Sequence, residues 1–187
     1  LNWTDPTNYG IDSLPEQYDH DVFFKGRDCN SFRREIWGEV EKMDIRVGGG
    51  LYEGSSNYEE LPDRYKTEKS DLEQYQREMN RSKINLALRG AGPFTHRHLE
   101  IWATSGFCLS DSKINELEFP FKVKKGKHYA SFQFKKDLTE KINHFLEENN
   151  QRRSIAQKGR KLFEEEYNYR KHGRFLSEQL SSNSTAS

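Results

Sequence analysis

Short apolar runs alternate with helical segments between residues 20 and 132, and this alternation constrains the fold more than any other feature. A helical segment, marked by apolar residues at helical spacing or by a capping residue, follows each of the first three runs. The runs predict strands over 20–26, 44–47, 83–88, 107–109 and 128–132. Because parallel strands need a crossover that is usually helical, this order predicts a doubly wound parallel α/β sheet of the Rossmann-like kind.

The remaining segments divide the chain around that sheet. Glycines 48–50 are expected to end the second strand, and residues 51–67 to form a long loop. Three helices are predicted after an Asp137 cap, the last over 167–180, and they would cover the sheet. Residues 1–19 are expected to be an irregular lead-in, 20–180 a single domain and 181–187 a disordered tail.

Charge and composition exclude several function classes. Lys+Arg and Asp+Glu number 30 each, whereas a general binder of nucleic acid or of anionic membranes carries a basic surplus. No apolar run approaches the roughly 20 residues of a membrane span. Two cysteines are too few for a disulfide framework, which favours a reducing, cytoplasmic location. A longer eukaryotic chain would instead place the domain in the Golgi or secretory lumen.

The turn after the third predicted strand carries the strongest candidate site. It runs Arg89-Gly90-Ala91-Gly92-Pro93-Phe94-Thr95 and lies at the carboxyl edge, where such sheets bind ligands. Its glycines let a ligand approach the backbone, and the helix that Thr95 caps favours an anion. Arg97 is suited to grip a phosphate, and Glu100 to accept two ribose hydroxyls. Turns of this type also occur without a phosphate site.

Other side chains at the same edge are secondary candidates. Arg27 follows the first strand and is suited to reach a phosphate, although a solvated loop arginine is the simpler interpretation. Arg33 or Arg34 in the next helix, Tyr52 beside the three glycines and Asp111 after the fourth strand have weaker support. His96 and His98 are two positions apart on a helix, so they point to different faces and are expected to be surface residues rather than a metal pair.

Residues 82–90 and 93–110, from Ser82-Lys83-Ile84-Asn85 to Phe107-Cys108-Leu109-Ser110, resemble the donor-binding core of GT-B glycosyltransferases. The likeness is to the C-terminal domain of CgeB-type, group 1 enzymes, with a fainter likeness to exostosin-type domains. In that family a strand and a Gly-containing loop lead to an Arg and a Glu on a helix. The family's ribose-binding Glu maps to Glu100. Weaker resemblance extends over 21–37 and 137–180.

The resemblance implies a nucleotide-diphosphate sugar as donor substrate and no further cofactor. The donor would be held by Arg27, Arg89, Gly90, Thr95, Arg97 and Glu100. It implies metal-independent transfer of a hexosyl or pentosyl group to a glycan, lipid or protein acceptor. The catalytic residues are not identified, since the base would come from an N-terminal acceptor-binding domain that this chain is too short to contain. Gly92 stands where many retaining relatives carry a Glu, which leaves the stereochemical outcome open.

Two other functions fit the same pattern. One is a non-catalytic Rossmann-like binding or assembly module that kept the sheet and lost the chemistry, as the missing carboxylate at Gly92 suggests. The other is a nucleotide-binding α/β domain with a different reaction. It has less support, because the sequence has no P-loop lysine and no dinucleotide fingerprint.

Overall fold

Five parallel strands form one sheet in the computed structural model, which describes residues 14–119 and 122–166. Their order across the sheet is β2-β1-β3-β4-β5, which confirms the doubly wound α/β prediction. The sheet reverses its winding at β1, between β2 and β3. The strands are β1 (His20–Arg27), β2 (Val47–Tyr52), β3 (Ser82–Ala87), β4 (Cys108–Asp111) and β5 (Ala130–Phe132).

Within the described part of the chain, five α-helices cover this sheet. They are α1 (Ser31–Val40), α2 (Leu72–Asn80), α3 (His96–Ala103), α4 (Lys135–Glu147) and α5 (Asn149–Glu166). The first three connect successive strands, and two of them start at side-chain caps. Asn30 Oδ1 accepts the Arg33 amide of α1 at 2.9 Å, and Asp71 Oδ1 accepts the Gln74 amide of α2 at 2.8 Å. The third C-terminal helix predicted over 167–180, and the tail after it, lie outside the described residues.

Alternate side chains of β1, β3 and β4 enter two separate cores. Val22 and Phe24 of β1 pack with α1 and α4 on one face, whereas Phe23 packs with α2 and α3 on the other. Helix α5 serves both faces: Ile155 joins the first core and Phe163 the second. The C-terminal helices therefore cover the sheet from two sides, which fixes the orientation of the strand ends.

Strand β2 corrects the prediction for residues 44–52. Gly48, Gly49 and Gly50 do not end a strand but form its centre, and the strand begins at Val47, where it was expected to end. Gly49 has φ +91°, and a Cβ there would lie 2.2 Å from the Phe24 carbonyl oxygen. The glycines therefore allow β1 to approach the edge strand closely, a tertiary requirement that a local pattern does not reveal.

Two further predicted boundaries shift. The loop expected from residue 51 starts after Tyr52 and contains short 3₁₀ turns at Tyr58–Glu60 and Asp63–Tyr65. Helix α4 begins two residues before Asp137, whose Oδ2 accepts the Gln133 amide at 2.7 Å. No helix among the described residues combines the length and the apolar character needed to cross a membrane.

Candidate functional site

A cleft of about 300 Å³ opens at the carboxyl ends of β1 and β2, between the first turns of α2 and α3. We call it the α3 cleft. It lies next to the point where the winding of the sheet reverses, which is where α/β sheets bind ligands. Its walls are formed by Lys25, Tyr52, Lys69, Ser70, Asp71, Leu72, Tyr75, Arg97 and Glu100.

Glu100 and Arg97 line this cleft from the first turn and a half of α3. Tyr75 Oη donates a hydrogen bond to Glu100 Oε2 at 3.1 Å, and no other bond to this carboxylate is found among the described residues. The Arg97 guanidinium lies over the rings of Phe24 and Tyr75, at 4.8 and 5.4 Å from their centroids, and donates to the Lys25 carbonyl. Arg97 therefore forms a wall of the cleft, while Glu100 keeps acceptor capacity for a ligand.

Lys25 supplies a buried positive charge to the same cleft. It is the one charged side chain between Val22 and Gly26 of β1, and its Nζ donates to Glu78 Oε2 at 2.9 Å and to Ser70 Oγ. The ion pair joins β1 to α2 where the side chains are 8% and 24% exposed. Burial of this kind requires pairing, so the contact also fixes the α2 wall of the cleft.

Arg33 binds the backbone at the start of the turn over residues 89–95, which we call the Gly-rich turn. Its guanidinium donates three hydrogen bonds to backbone carbonyls, to Arg27 at 2.9 Å, Arg89 at 3.0 Å and Leu88 at 3.2 Å. Burial lowers the pKa of Arg33 from its usual value. Because these carbonyls belong to the ends of β1 and β3, Arg33 fixes the spacing between the two loops that border the site. The same guanidinium lies beside Gly90, where a Cβ would be 3.2 Å from Nη2.

A second network ties the loop after β2 to the end of β1. The buried Asp28 carboxylate binds Arg34 at 2.7 Å and also accepts the Ser55 hydroxyl. Burial alone would raise the pKa of Asp28, but the hydrogen bonds from Arg34 and Ser55 outweigh it and hold the pKa below its usual value. Arg27, in contrast, is exposed, with its stem beside Gly54, and is not among the lining residues of the α3 cleft.

His98 is buried, which corrects the expectation of a surface histidine. The Thr95 amide donates to His98 Nδ1 at 3.1 Å, so Nε2 carries the proton and donates to Ser110 Oγ at 2.9 Å. The Phe94 ring stacks on the imidazole with centroids 4.9 Å apart. Burial lowers the pKa of His98 to about 4. A neutral His98 thus anchors the start of α3 to the end of β4.

Arg89 points to a different place from Arg97. Its guanidinium lies 3.8 Å from the centroid of the Phe32 ring, and Nη1 is 3.7 Å from Asp111 Oδ1. Asp111 Oδ2 also accepts the Arg89 amide at 2.9 Å. Burial raises the pKa of Asp111. The two arginines of the turn region therefore serve two separate clefts.

The chain contains one Asp-x-Asp triplet, at residues 19–21, a pattern that can chelate a divalent metal. It lies at the amino end of β1, on the opposite edge from the α3 cleft. Asp21 is paired with Arg46 at 3.1 Å and with Lys83 at 2.7 Å, and Asp19 with Arg81 at 2.8 Å. Among the described residues, no group of three or more His, Cys, Asp or Glu side chains could hold a metal ion.

The structure thus brings some predicted residues together and separates others. Arg97 and Glu100 share the α3 cleft, Gly90 and Thr95 lie in the turn beside it, and Arg89 faces away. Sequence reasoning missed Lys25 and Tyr75, which come from other elements. A lysine within an otherwise apolar strand was the signal available for Lys25. Tyr75 gave none, because an aromatic residue on a helix is most often a core residue.

Comparison with known proteins adds a family and a fold. A family model described as glycosyl transferase-like matches residues 27–178, more than half of the chain. No curated protein sequence matches significantly. The first solved structures that match are complexes of HepE from Anabaena. The one with UDP and glucose superposes with a TM-score of 0.69 at 13% identity, over 97% of this chain and 56% of that one.

Two other structures bracket the extent of the match. The C-terminal domain of the group 1 glycosyl transferase LpcC from Francisella tularensis gives a TM-score of 0.64 at 11% identity, over 89% of this chain and 99% of that domain. Sucrose-phosphate synthase from Thermosynechococcus elongatus gives a TM-score of 0.71 at 13% identity, over 99% of this chain and 52% of that one. The chain therefore has the fold of the C-terminal half of GT-B glycosyltransferases and spans about half the length of HepE and the synthase.

Proposed function

This chain belongs to the glycosyl transferase-like family, and we propose that its α3 cleft binds the nucleotide of a nucleotide-sugar donor. The observation that carries the proposal is the Glu100 carboxylate, which lines the cleft and accepts one hydrogen bond, from Tyr75, among the described residues. A carboxylate with spare acceptor positions suits the two vicinal hydroxyls of a ribose. HepE, which shares the fold, was crystallised with UDP and with UDP-glucose.

The surroundings of Glu100 suit the rest of such a donor. Lys69 and Arg97 place positive charge around the cleft beside Lys25, which is paired with Glu78, and Tyr52 and Tyr75 give it aromatic surface for a base. The turn through Gly90 leads into the amino end of α3, whose free amides favour a diphosphate. Thr95 is the N-cap residue of that helix, and its amide donates to His98 Nδ1.

We place the transfer step at the rim of this cleft. The sugar would be a hexosyl or pentosyl group, and Arg27 and the α3 amides would meet the charge of the leaving diphosphate without a metal. Transfer to a glycan, lipid or protein acceptor would need a second, acceptor-side domain, since the chain spans about half of its full-length structural relatives. Free Cys29 and Cys108 suit a reducing compartment such as the cytoplasm.

A non-catalytic module is the second candidate, and Gly92 favours it. A Cβ added at this residue would meet no other described atom within 4 Å, so a glutamate would fit there, yet the residue at this position is a glycine. A module of this kind would bind the nucleotide and leave the glycosidic bond intact. Incubation with UDP-glucose separates the two functions when this domain is joined to an acceptor-side domain. A transferase would cleave the glycosidic bond of the donor, and a binding module would leave it intact.

Calorimetric titration of the chain with UDP and GDP tests the binding proposal. Glu100→Ala removes two charge-assisted hydrogen bonds to ribose, and a net loss of about 2 kcal/mol corresponds to an affinity about 30-fold weaker. Glu140→Ala is the matched control, because Glu140 lies on α4 with its side chain 64% exposed. Equal affinity of the wild type and Glu100→Ala for both nucleotides would remove Glu100 from the site.

A further inference from the structure

A second cleft, of about 260 Å³, opens at the carboxyl ends of β3, β4 and β5. Its size lies just below the usual range of ligand pockets and is enough for one sugar-sized ring. We call it the Phe134 cleft. Among the described residues, none lines both this cleft and the α3 cleft. Its lining residues are Phe32, Arg89, Asp111, Ser112, Lys113, Glu116, Gln133 and Phe134.

Phe134 contributes an exposed aromatic ring to the lining of the cleft. It is 68% exposed, the most exposed of the large hydrophobic side chains among the described residues. It occupies the N-cap of α4, a position that favours a side-chain acceptor, and makes no capping bond. Asp137 accepts a backbone amide there instead. Among the described residues, neither packing nor capping occupies the Phe134 ring, so it offers an aromatic surface to a ligand in the cleft.

Asp111 provides a buried acceptor on the floor of the cleft. Its side chain is 4% exposed, and its two oxygens accept the amides of Arg89 at 2.9 Å and Lys113 at 3.1 Å. A carboxylate offers about four acceptor positions, so two of them are left for a ligand. Arg89 stacks on Phe32 through the face of its guanidinium, which leaves the N–H groups at its edge as donors.

The charges around the cleft favour a neutral ligand. Arg89 and Lys113 are balanced by Asp111 and Glu116, and Lys113 and Glu116 are paired at 2.8 Å. A phosphate would have to approach the buried Asp111 carboxylate, which repels it. Gln133 adds an exposed amide that both donates and accepts. These groups complement a ligand ring that carries hydroxyl groups on its edge and C–H groups on its face. The hydroxyl groups would meet the acceptor, donor and mixed groups of the cleft, and the C–H face would meet the aromatic side chain.

We propose that the Phe134 cleft binds one pyranose ring of a neutral saccharide, with Phe134 against its C–H face and Asp111 and Arg89 on its hydroxyl groups. The cleft lies on the same sheet edge as the α3 cleft, across the turn that contains Gly90. The saccharide is therefore an acceptor that the donor-side half holds. This role rests on the proposed function, whereas the binding site itself does not depend on it.

Saturation-transfer NMR on the 187-residue chain tests the site. The probes are the methyl glycosides of glucose, galactose, mannose and N-acetylglucosamine, each at millimolar concentration. At least one glycoside is expected to bind, and Phe134→Ala to weaken that binding about tenfold or more, through loss of the stacking surface. Glu140→Ala, which truncates a 64% exposed side chain on α4 that is not among the lining residues of the cleft, is expected to bind as the wild type does.

Binding of no glycoside by the wild type would overturn the inference and would assign Phe134 to a protein contact. Binding that survives both Phe134→Ala and Gln133→Ala would also overturn it. UDP titrated into the same samples separates this inference from the proposed function. We expect Phe134→Ala to keep the wild-type affinity for UDP, and a chain that binds a glycoside but no nucleotide would refute the nucleotide cleft alone.

Discussion

Replacing Arg33 with methionine removes three hydrogen bonds while keeping most of the apolar stem. The guanidinium is buried and donates to the carbonyls of Arg27, Leu88 and Arg89. These carbonyls belong to the loops that border the α3 cleft and the Gly-rich turn. Counting each bond at about 1 kcal/mol net, which already includes desolvation, the variant should lose about 3 kcal/mol of unfolding free energy.

Urea denaturation followed by circular dichroism measures this loss. The midpoint should fall while the slope with denaturant stays unchanged, because the surface exposed on unfolding is the same. Arg77→Met is the matched control. Its side chain is 63% exposed and pairs with Glu73 one turn away, an arrangement that contributes about 0.3–0.5 kcal/mol.

The reasoning fails if Arg33→Met costs no more than Arg77→Met. That result would mean that water replaces the guanidinium at all three carbonyls, and that the strand ends are held by other contacts. Arg33→Lys discriminates further. It keeps the charge but replaces a planar fork with a single ammonium group, so it should recover less than half of the loss.

Two other predictions concern the fold around the site. Gly49→Ala should destabilise the chain by about 2–4 kcal/mol, because a Cβ at φ +91° meets the Phe24 carbonyl. Its control, Gly92→Ala, should be neutral or stabilising by less than about 1 kcal/mol. Equal melting temperatures of the two variants would contradict this prediction. His98 stays neutral in the folded chain down to about pH 4, so below about pH 6.5 the unfolded chain alone takes up the proton and stability falls as the pH falls. Between about pH 7.5 and pH 5 the loss should be about 2 kcal/mol for this residue. His98→Gln should flatten that slope and the exposed His144→Gln should not; equal slopes in both variants would refute the assignment.

The elements that sequence reasoning predicts well are those with local causes. The helix after the turn begins at His96, directly after the N-cap residue Thr95 that the sequence indicates, and Glu100 lies on it one turn further along. Alternating apolar runs and helical segments were enough to predict the parallel sheet, since a parallel pair requires the crossover. The carboxyl-edge position of the turn followed from that topology.

The features that escaped prediction have tertiary causes. Glycines normally end a strand, but in β2 they allow close approach of Phe24 from the neighbouring strand. His98 is buried because Phe94 stacks on it and Ser110, twelve residues away, accepts the hydrogen bond that its Nε2–H donates. Neither contact can be read from a period of two or 3.6 residues.

The two arginines of the turn region illustrate the same limit for the site. Arg89 and Arg97 are eight residues apart and both suited to an anion, yet they line separate clefts. Arg97 is held by stacking on Phe24 and Tyr75, and Arg89 by Phe32 and Asp111. Which ligand each arginine serves depends on these partners, which come from four different elements of the chain.

Backbone NMR mapping with UDP tests the central claim most directly. Addition of UDP to the isotope-labelled chain should shift the amide signals of the α3 cleft, above all around Tyr75, Arg97 and Glu100. The amino edge, at Asp21 and Lys83, should stay unchanged. Saturable shifts confined to the cleft are the predicted result. Shifts centred elsewhere, or none at saturating UDP, GDP and ADP, would contradict a nucleotide site at this edge of the sheet.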